Sequence, residues 1–187
     1  MQNSTYVRHN NEIKRMSTSD IFDSIKFNTI KAITFSGSRS FIVNTFFNYT
    51  DIELIVGISN QTVQNIVYNS LCDLTDYHRK HNSIITMPND TRKFIEANCR
   101  IPVKGVIHSK LYLLSGPDNY RTIQGSANMS KSAFNNESNQ FENIIITDGY
   151  ETYKKNLSYY NELRDKTMPY VDSETKKQLK RYGYFKT

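Results

Sequence analysis

The period of apolar positions changes several times along the chain, and each change marks an element. Residues 1–16 are polar, with neither a two-residue nor a 3.6-residue repeat, which predicts a loose N-terminal arm. Ser17-Thr18-Ser19-Asp20 then offers side-chain oxygens able to cap a helix, ahead of the apolar-periodic Ile21, Phe22 and Ile25. Ile30–Phe35 reads as a buried strand closed by Ser36-Gly37-Ser38; Phe41–Phe47 has helical length, and Asp51–Gly57 is a second strand. Val63, Ile66, Val67, Leu71 and Leu74 recur at helical spacing and predict a helix over Gln61–Tyr77, with another over Asp90–Asn98. Val103–Leu114 reads as one long strand, Arg121–Ile123 as part of another, and the isoleucines of Asn143–Thr147 as a third. From Gly149 the chain is helical to about Arg164; Met168-Pro169 breaks that helix, and a basic polar tail follows.

Strands alternating with helices define an α/β class. A chain of 187 residues is one domain of ordinary size. The reading places its body over residues 17–150 and a helical, basic C-terminal extension over 151–187. That extension carries nine Lys/Arg against five Asp/Glu, and reads either as a solvated helical face or as the lead into a further domain.

Composition narrows the choice of partner. Lys and Arg outnumber Asp and Glu by 24 to 18, a formal charge of +6, which favours polyanions, nucleic acid ahead of anionic membrane surface. No apolar run reaches the length of a membrane-spanning helix, and Met1–Tyr6 lacks the apolar stretch of a secretory signal. The expectation is an intracellular, cytoplasmic protein with no membrane partner. Cys72 and Cys99 are too few for a disulfide framework or a four-ligand zinc site, and are expected as buried small hydrophobes.

The chemistry concentrates between Gly105 and Asp148. In a strand, residues i and i+2 share a face, so His108-Ser109-Lys110 would present an imidazole beside an ammonium. That pair suits a phosphodiester: the lysine holds phosphoryl oxygens while the histidine attacks or delivers a proton. His78-Arg79-Lys80 repeats the pattern at the end of a predicted helix, where i and i+2 diverge by about 200°, and reads as surface. Gly125-Ser126-Ala127-Asn128 follows a strand and precedes a predicted helix; glycine permits a tight turn, free amides can bind an anion, and Ser126 and Asn128 add donors. The plainer reading of each piece alone is a surface His-x-Lys and an ordinary capped turn. Ser36-Gly37-Ser38-Arg39-Ser40 is a second strand-to-helix turn that could contact a backbone phosphate. His9 and His81 suggest no partner.

Together, His108, Lys110 and Gly125-Ser126-Ala127-Asn128, followed on the next strand by Glu142 in Phe141-Glu142-Asn143-Ile144-Ile145, resemble the phospholipase D superfamily. Within it the chain is similar to the single-motif nucleases and PLD-like restriction endonuclease domains. The resemblance covers residues 103–148. Where the family usually places an aspartate after the lysine, this chain has Ser115; Asp118, in Ser-Gly-Pro-Asp-Asn, reads as a turn residue. The resemblance implies a mixed β-sheet flanked by helices and a metal-independent, cofactor-free phosphodiesterase acting on nucleic acid. A DNA endonuclease, or the nuclease domain of a restriction or defence protein, fits best. In that scheme one neutral histidine attacks phosphorus to give a phosphohistidine and a second, protonated, serves the leaving oxygen. Lys110, Ser126 and Asn128 hold the non-bridging oxygens, and Glu142 orients His108. The chain supplies one complete motif, so the second histidine comes from a second subunit of a homodimer, or from a second motif beyond Thr187. A lipid-acting phospholipase or phosphatidyltransferase and a non-catalytic DNA-binding module are the rival readings.

Overall fold

A computed structural model of the chain describes residues 4–57, 97–135 and 142–170. Among these, nine strands form one mixed sheet. They are β1 (Ser4–His9), β2 (Glu12–Ser17), β3 (Thr29–Thr34), β4 (Asp51–Val56), β5 (Cys99–Pro102), β6 (Leu111–Ser115), β7 (Tyr120–Gly125), β8 (Ile144–Asp148) and β9 (Thr167–Pro169). Their order across the sheet is β2-β1-β8-β7-β6-β3-β4-β5-β9. The helices are α1 (Thr18–Ile21), α2 (Arg39–Phe46), α3 (Lys131–Asn135) and α4 (Tyr150–Arg164). The β1–β8, β3–β4 and β4–β5 pairs are parallel and the other neighbours antiparallel.

Alternation in the central strands divides the core in two. On β6, Tyr112 and Leu114 face a cluster that also holds Phe22, Phe27, Phe41, Phe46 and Phe134. Leu111 and Leu113 face the other side, with Ile33, Ile55, Tyr153 and Tyr160. Phe22 is the hub of the first cluster, edge-on to Phe46 at 5.3 Å, Tyr112 at 5.6 Å and Phe134 at 5.0 Å. Truncating such a ring to Ala costs about 3–5 kcal/mol. α4 covers the second cluster through Tyr153 and Tyr160, and is pinned where Arg164 Nε meets Glu53 at 2.7 Å and the Tyr160 hydroxyl donates to Glu53 at 3.1 Å.

Several expectations are corrected here. Residues 4–17 are no loose arm: β1 and β2 form a hairpin whose β1 pairs in parallel with β8. Its turn is Asn10-Asn11, both at positive φ (49° and 72°), the left-handed geometry that matches the twist of paired strands. The pattern hid this because β1 buries only Thr5 and Val7, and β2 is exposed until the half-buried Met16 and the buried Ser17. Ser17 and Asp20 form a reciprocal capping box on α1, but that helix ends at Ile21, and Ile25 is 99% exposed. Residues 150–170 are not an extension, since α4 roofs the sheet and β9 pairs with β5. Val103–Leu114 is not one strand. β5 ends at Pro102, Gly105 takes φ +76°, and the chain re-enters the sheet only at Leu111. The predicted helix Gln61–Tyr77, all of Asp90–Asn98 except Ala97 and Asn98, Cys72, His78-Arg79-Lys80, His81 and the tail beyond Tyr170 lie outside the described residues. Cys99 is buried, as expected.

Candidate active site at one rim of the sheet

Strand direction brings the motif segments together. β3, β4 and β5 end, β6 begins, β7 ends and β8 begins at the same rim, as the pairs Ile33↔Leu111, Leu111↔Gln124 and Gly125↔Ile144 require. His108 and Lys110 lie immediately before β6, outside the strand in which they were expected, yet still on one side. The Lys110 ammonium donates to the His108 carbonyl at 3.0 Å and reaches its ring Nδ1 at 3.2 Å. Phe35, the residue after β3, floors this pair. Its ring centroid lies 4.4 Å from that of His108 and 5.4 Å from the Lys110 ammonium. Partial burial pulls Lys110 below the ordinary lysine range, against the opposing charge of Glu142. The loop can sit this low because it crosses Gly57, where a Cβ would lie 2.1 Å from the Ile107 carbonyl oxygen. The Ser109 and Tyr159 hydroxyls, 2.7 Å apart, tie it to α4.

The second segment leaves β7 at Gly125. Its φ is +145°, and a Cβ there would fall 1.7 Å from the Asn143 carbonyl oxygen, so the close approach of β7 to the start of β8 requires glycine. That approach lets the Ser126 hydroxyl donate to Glu142 and accept from the Asn143 amide at 2.9 Å. Asn128 turns the other way: its Oδ1 accepts from the Ser36 amide at 3.3 Å and the Thr34 hydroxyl at 3.4 Å, which leaves its NH2 as a donor. The Tyr112 hydroxyl holds the Ala127 carbonyl at 2.7 Å. The expected helix at this turn is displaced. α3 begins at Lys131 and has five residues, so the donor at this turn is the Asn128 NH2 and not a helix terminus, while the Ser126 hydroxyl hydrogen is engaged by Glu142.

The turn Ser36-Gly37-Ser38 lies against this segment, with a Gly37–Met129 bridge and the Ser38 amide donating to the Met129 carbonyl at 2.8 Å. Ser38 caps α2. His108, Lys110, Ser126, Asn128 and Glu142 therefore share one rim, with His108 and Ser126 exposed and the other three partly so. Glu142 is held by Ser126, and Lys110 is the cation that feels its charge. Ser115 sits at the far end of β6, roughly 16 Å away by strand rise, where it accepts from the Tyr153 hydroxyl at 3.3 Å. Asp118 is exposed in the β6–β7 turn, as expected. Sequence reasoning missed Phe35, Thr34 and Tyr112; the one signal was Tyr112, two residues beyond Lys110. Among the described residues, no three of His, Cys, Asp and Glu gather to hold a metal ion.

Residues 39–176 match the family described as NgoFVII restriction endonuclease N-terminal PLD domain. The chain belongs to that family. The match spans all five rim residues and begins after the β1–β2 hairpin. An uncharacterized protein of Aquifex aeolicus (strain VF5) is 28% identical over 118 residues, 62% of this chain and 71% of that relative. As a PLD-like restriction endonuclease domain the chain fits a nuclease whose substrate is nucleic acid. No helix among the described residues is long and apolar enough to cross a membrane.

Proposed function

We propose that this domain hydrolyses phosphodiester bonds in DNA through a phosphohistidine at His108, without a metal, at a site completed by a second copy of the chain. The observation that carries the reading is the convergence of His108, Lys110, Ser126, Asn128 and Glu142 on one open rim, in a chain of a restriction-endonuclease family. Fixed cations and donors at that rim take the place of a Lewis acid on the phosphoryl oxygens.

The Lys110–His108 contact adds a step. While the ammonium donates to Nδ1, a neutral ring carries its hydrogen on Nε2 and cannot attack through that atom. A bound phosphate draws Lys110 away. Nδ1 then takes the hydrogen and donates to a carboxylate, the role assigned here to Glu142, whose charge already reaches Lys110, and the Nε2 lone pair attacks phosphorus. The leaving oxygen receives its proton from the second His108; that ring, now neutral, takes a proton from the water that attacks phosphorus, and the P–N bond breaks to return the first ring neutral and the second protonated. Because the reaction uses two histidines in opposite protonation states, the two His108 side chains lie together on a two-fold axis.

Plasmid cleavage with and without EDTA tests the chemistry: activity persists in EDTA, and a strict requirement for added Mg²⁺ refutes the mechanism. Mixing tests the shared site. Excess His108→Ala protein lowers wild-type activity beyond dilution, because each heterodimer lacks one ring; a linear dilution curve refutes sharing.

A further inference from the structure

The β1–β2 hairpin lies outside the family match, which begins at residue 39, yet it is built into the sheet beside the motif rim. Val7 points into the core with Phe22 and Phe41, so alternation turns its neighbours Tyr6 and Arg8 onto the opposite face, with their cross-strand partners Arg15 and Ile13. On that face α4 lies over β7, β6 and β3, and the hairpin is bare: Tyr6 is 59% and Ile13 76% exposed. Arg8 and Arg15 are exposed as well, and among the described residues neither guanidinium is in an ion pair. Arg15 lies over the Tyr6 ring at 5.6 Å, which presents its charge on a flat support.

Register places this face against the site. Gln124, Ile145, Arg8 and Ile13 form one row across β7, β8, β1 and β2. Because β1 runs parallel to β8, the Tyr6–Arg15 row is two residues nearer the rim, level with Asn143, whose amide binds Ser126. The spacing from β8 to β1 and then β2 is about 5 Å per strand, so both arginines sit within one or two strand widths of a phosphate path that crosses the rim.

We propose that this bare hairpin face is a docking shelf for the DNA backbone flanking the scissile phosphate, with Arg8 and Arg15 each on a phosphate. The assignment rests on the nuclease reading above. Two arginines beside Tyr6 and Ile13, with no carboxylate among these four residues, favour a polyanion over a second, equally basic copy of the chain.

The test is binding of a short fluorescent DNA duplex against salt, in a cleavage-dead His108→Ala background. Replacing both arginines by Gln, which keeps much of the side-chain length, is expected to weaken binding on the order of tenfold and to reduce the slope of log K against log salt by about 2, roughly 1 for each phosphate no longer neutralised. Lys14→Gln, which removes a charge from the face shared with Val7, leaves the slope nearly intact. With His108 restored, the double variant raises KM and keeps kcat, and its melting temperature matches wild type. DNA cutting by wild type with an unchanged slope in the double variant overturns the shelf alone. A change in sedimentation instead of affinity assigns the face to contact between copies, and overturns it too. A wild-type chain that neither binds nor cuts the duplex overturns the nuclease reading and the shelf with it.

Discussion

The two rims of the sheet hold the same three kinds of group. At one, His108, Lys110 and Glu142 surround the start of β6. At the other, His9 Nε2 lies 2.8 Å from Asp148, which also receives Arg121 Nε at 2.7 Å and Nη2 at 3.0 Å. The His9 partner was not foreseen from sequence. Arg121 is 4% exposed and spends its remaining nitrogen on the Asp20 and Ile21 carbonyls, at 2.8 and 3.0 Å. It thereby ties α1 to β7 and β8. The Nδ1 of His9 is buried and has no hydrogen-bond partner among the described residues. A histidine, a cation and a carboxylate thus make a clamp when their donors are spent on one another inside the protein. They make a candidate site when the rim is open and the donors can change partners. Burial pushes the Asp148 carboxyl up, but the hydrogen bonds from Arg121 and His9 outweigh it and hold it below the usual carboxylate range.

The sharpest way to break this contrast is to exchange the histidines' fates. His108→Ala is expected to remove turnover, with the melting curve unchanged; His9→Ala is expected to keep kcat and lower the melting temperature. A large loss of kcat in His9→Ala would collapse the distinction. Lys110→Ala and Asn128→Ala are expected to lower kcat about 10²- to 10³-fold, the effect of removing one charge-stabilising donor, measured by steady-state cleavage at saturating DNA. On the clamp side, Arg121→Ala is expected to cost about 3 kcal/mol in denaturant melts, because it strands a partly buried carboxylate and two carbonyls. Catalysis per folded molecule should stay intact.

The smallest expected effect is in pH. Asp148 is depressed in the folded state, so the stability it contributes is present above the unfolded carboxylate value, about 3.9, and is lost as pH falls through the lower folded value. The gap in melting temperature between wild type and Asp148→Asn should therefore hold from neutrality to about pH 5 and then close. A gap that persists undiminished below about pH 3, under the unfolded carboxylate value, would show that the clamp does not depend on the ionised carboxylate.

The contrast also marks what could be read in advance. β3, α2, β4, β8 and α4 fall within two residues of the expected spans, because each carries its own period: Ile30–Phe35 was expected where Thr29–Thr34 pairs. Val103–Leu114 failed because its apolar residues are not all buried; Val103 is 44% and Val106 53% exposed. The five rim residues were legible because each segment is short and its chemistry local. Phe35 was not, since it meets His108 only through the pairing of β3 with β6, which no local pattern specifies. The same holds for His9 and Asp148, 139 residues apart.

The two outermost strands have a consequence for how copies of the chain meet. β2 is an edge strand bearing the charged Glu12, Lys14 and Arg15, and β9 is three residues long and ends in Pro169. Charges, shortness and proline are what discourage a strand from recruiting another strand. Among the described residues, the sheet is therefore finished at both ends and does not invite end-to-end polymerisation. Self-association by strand addition is thereby discouraged, and the closed pair proposed above at the His108 rim has no open-ended stacking to compete with it among the described strands.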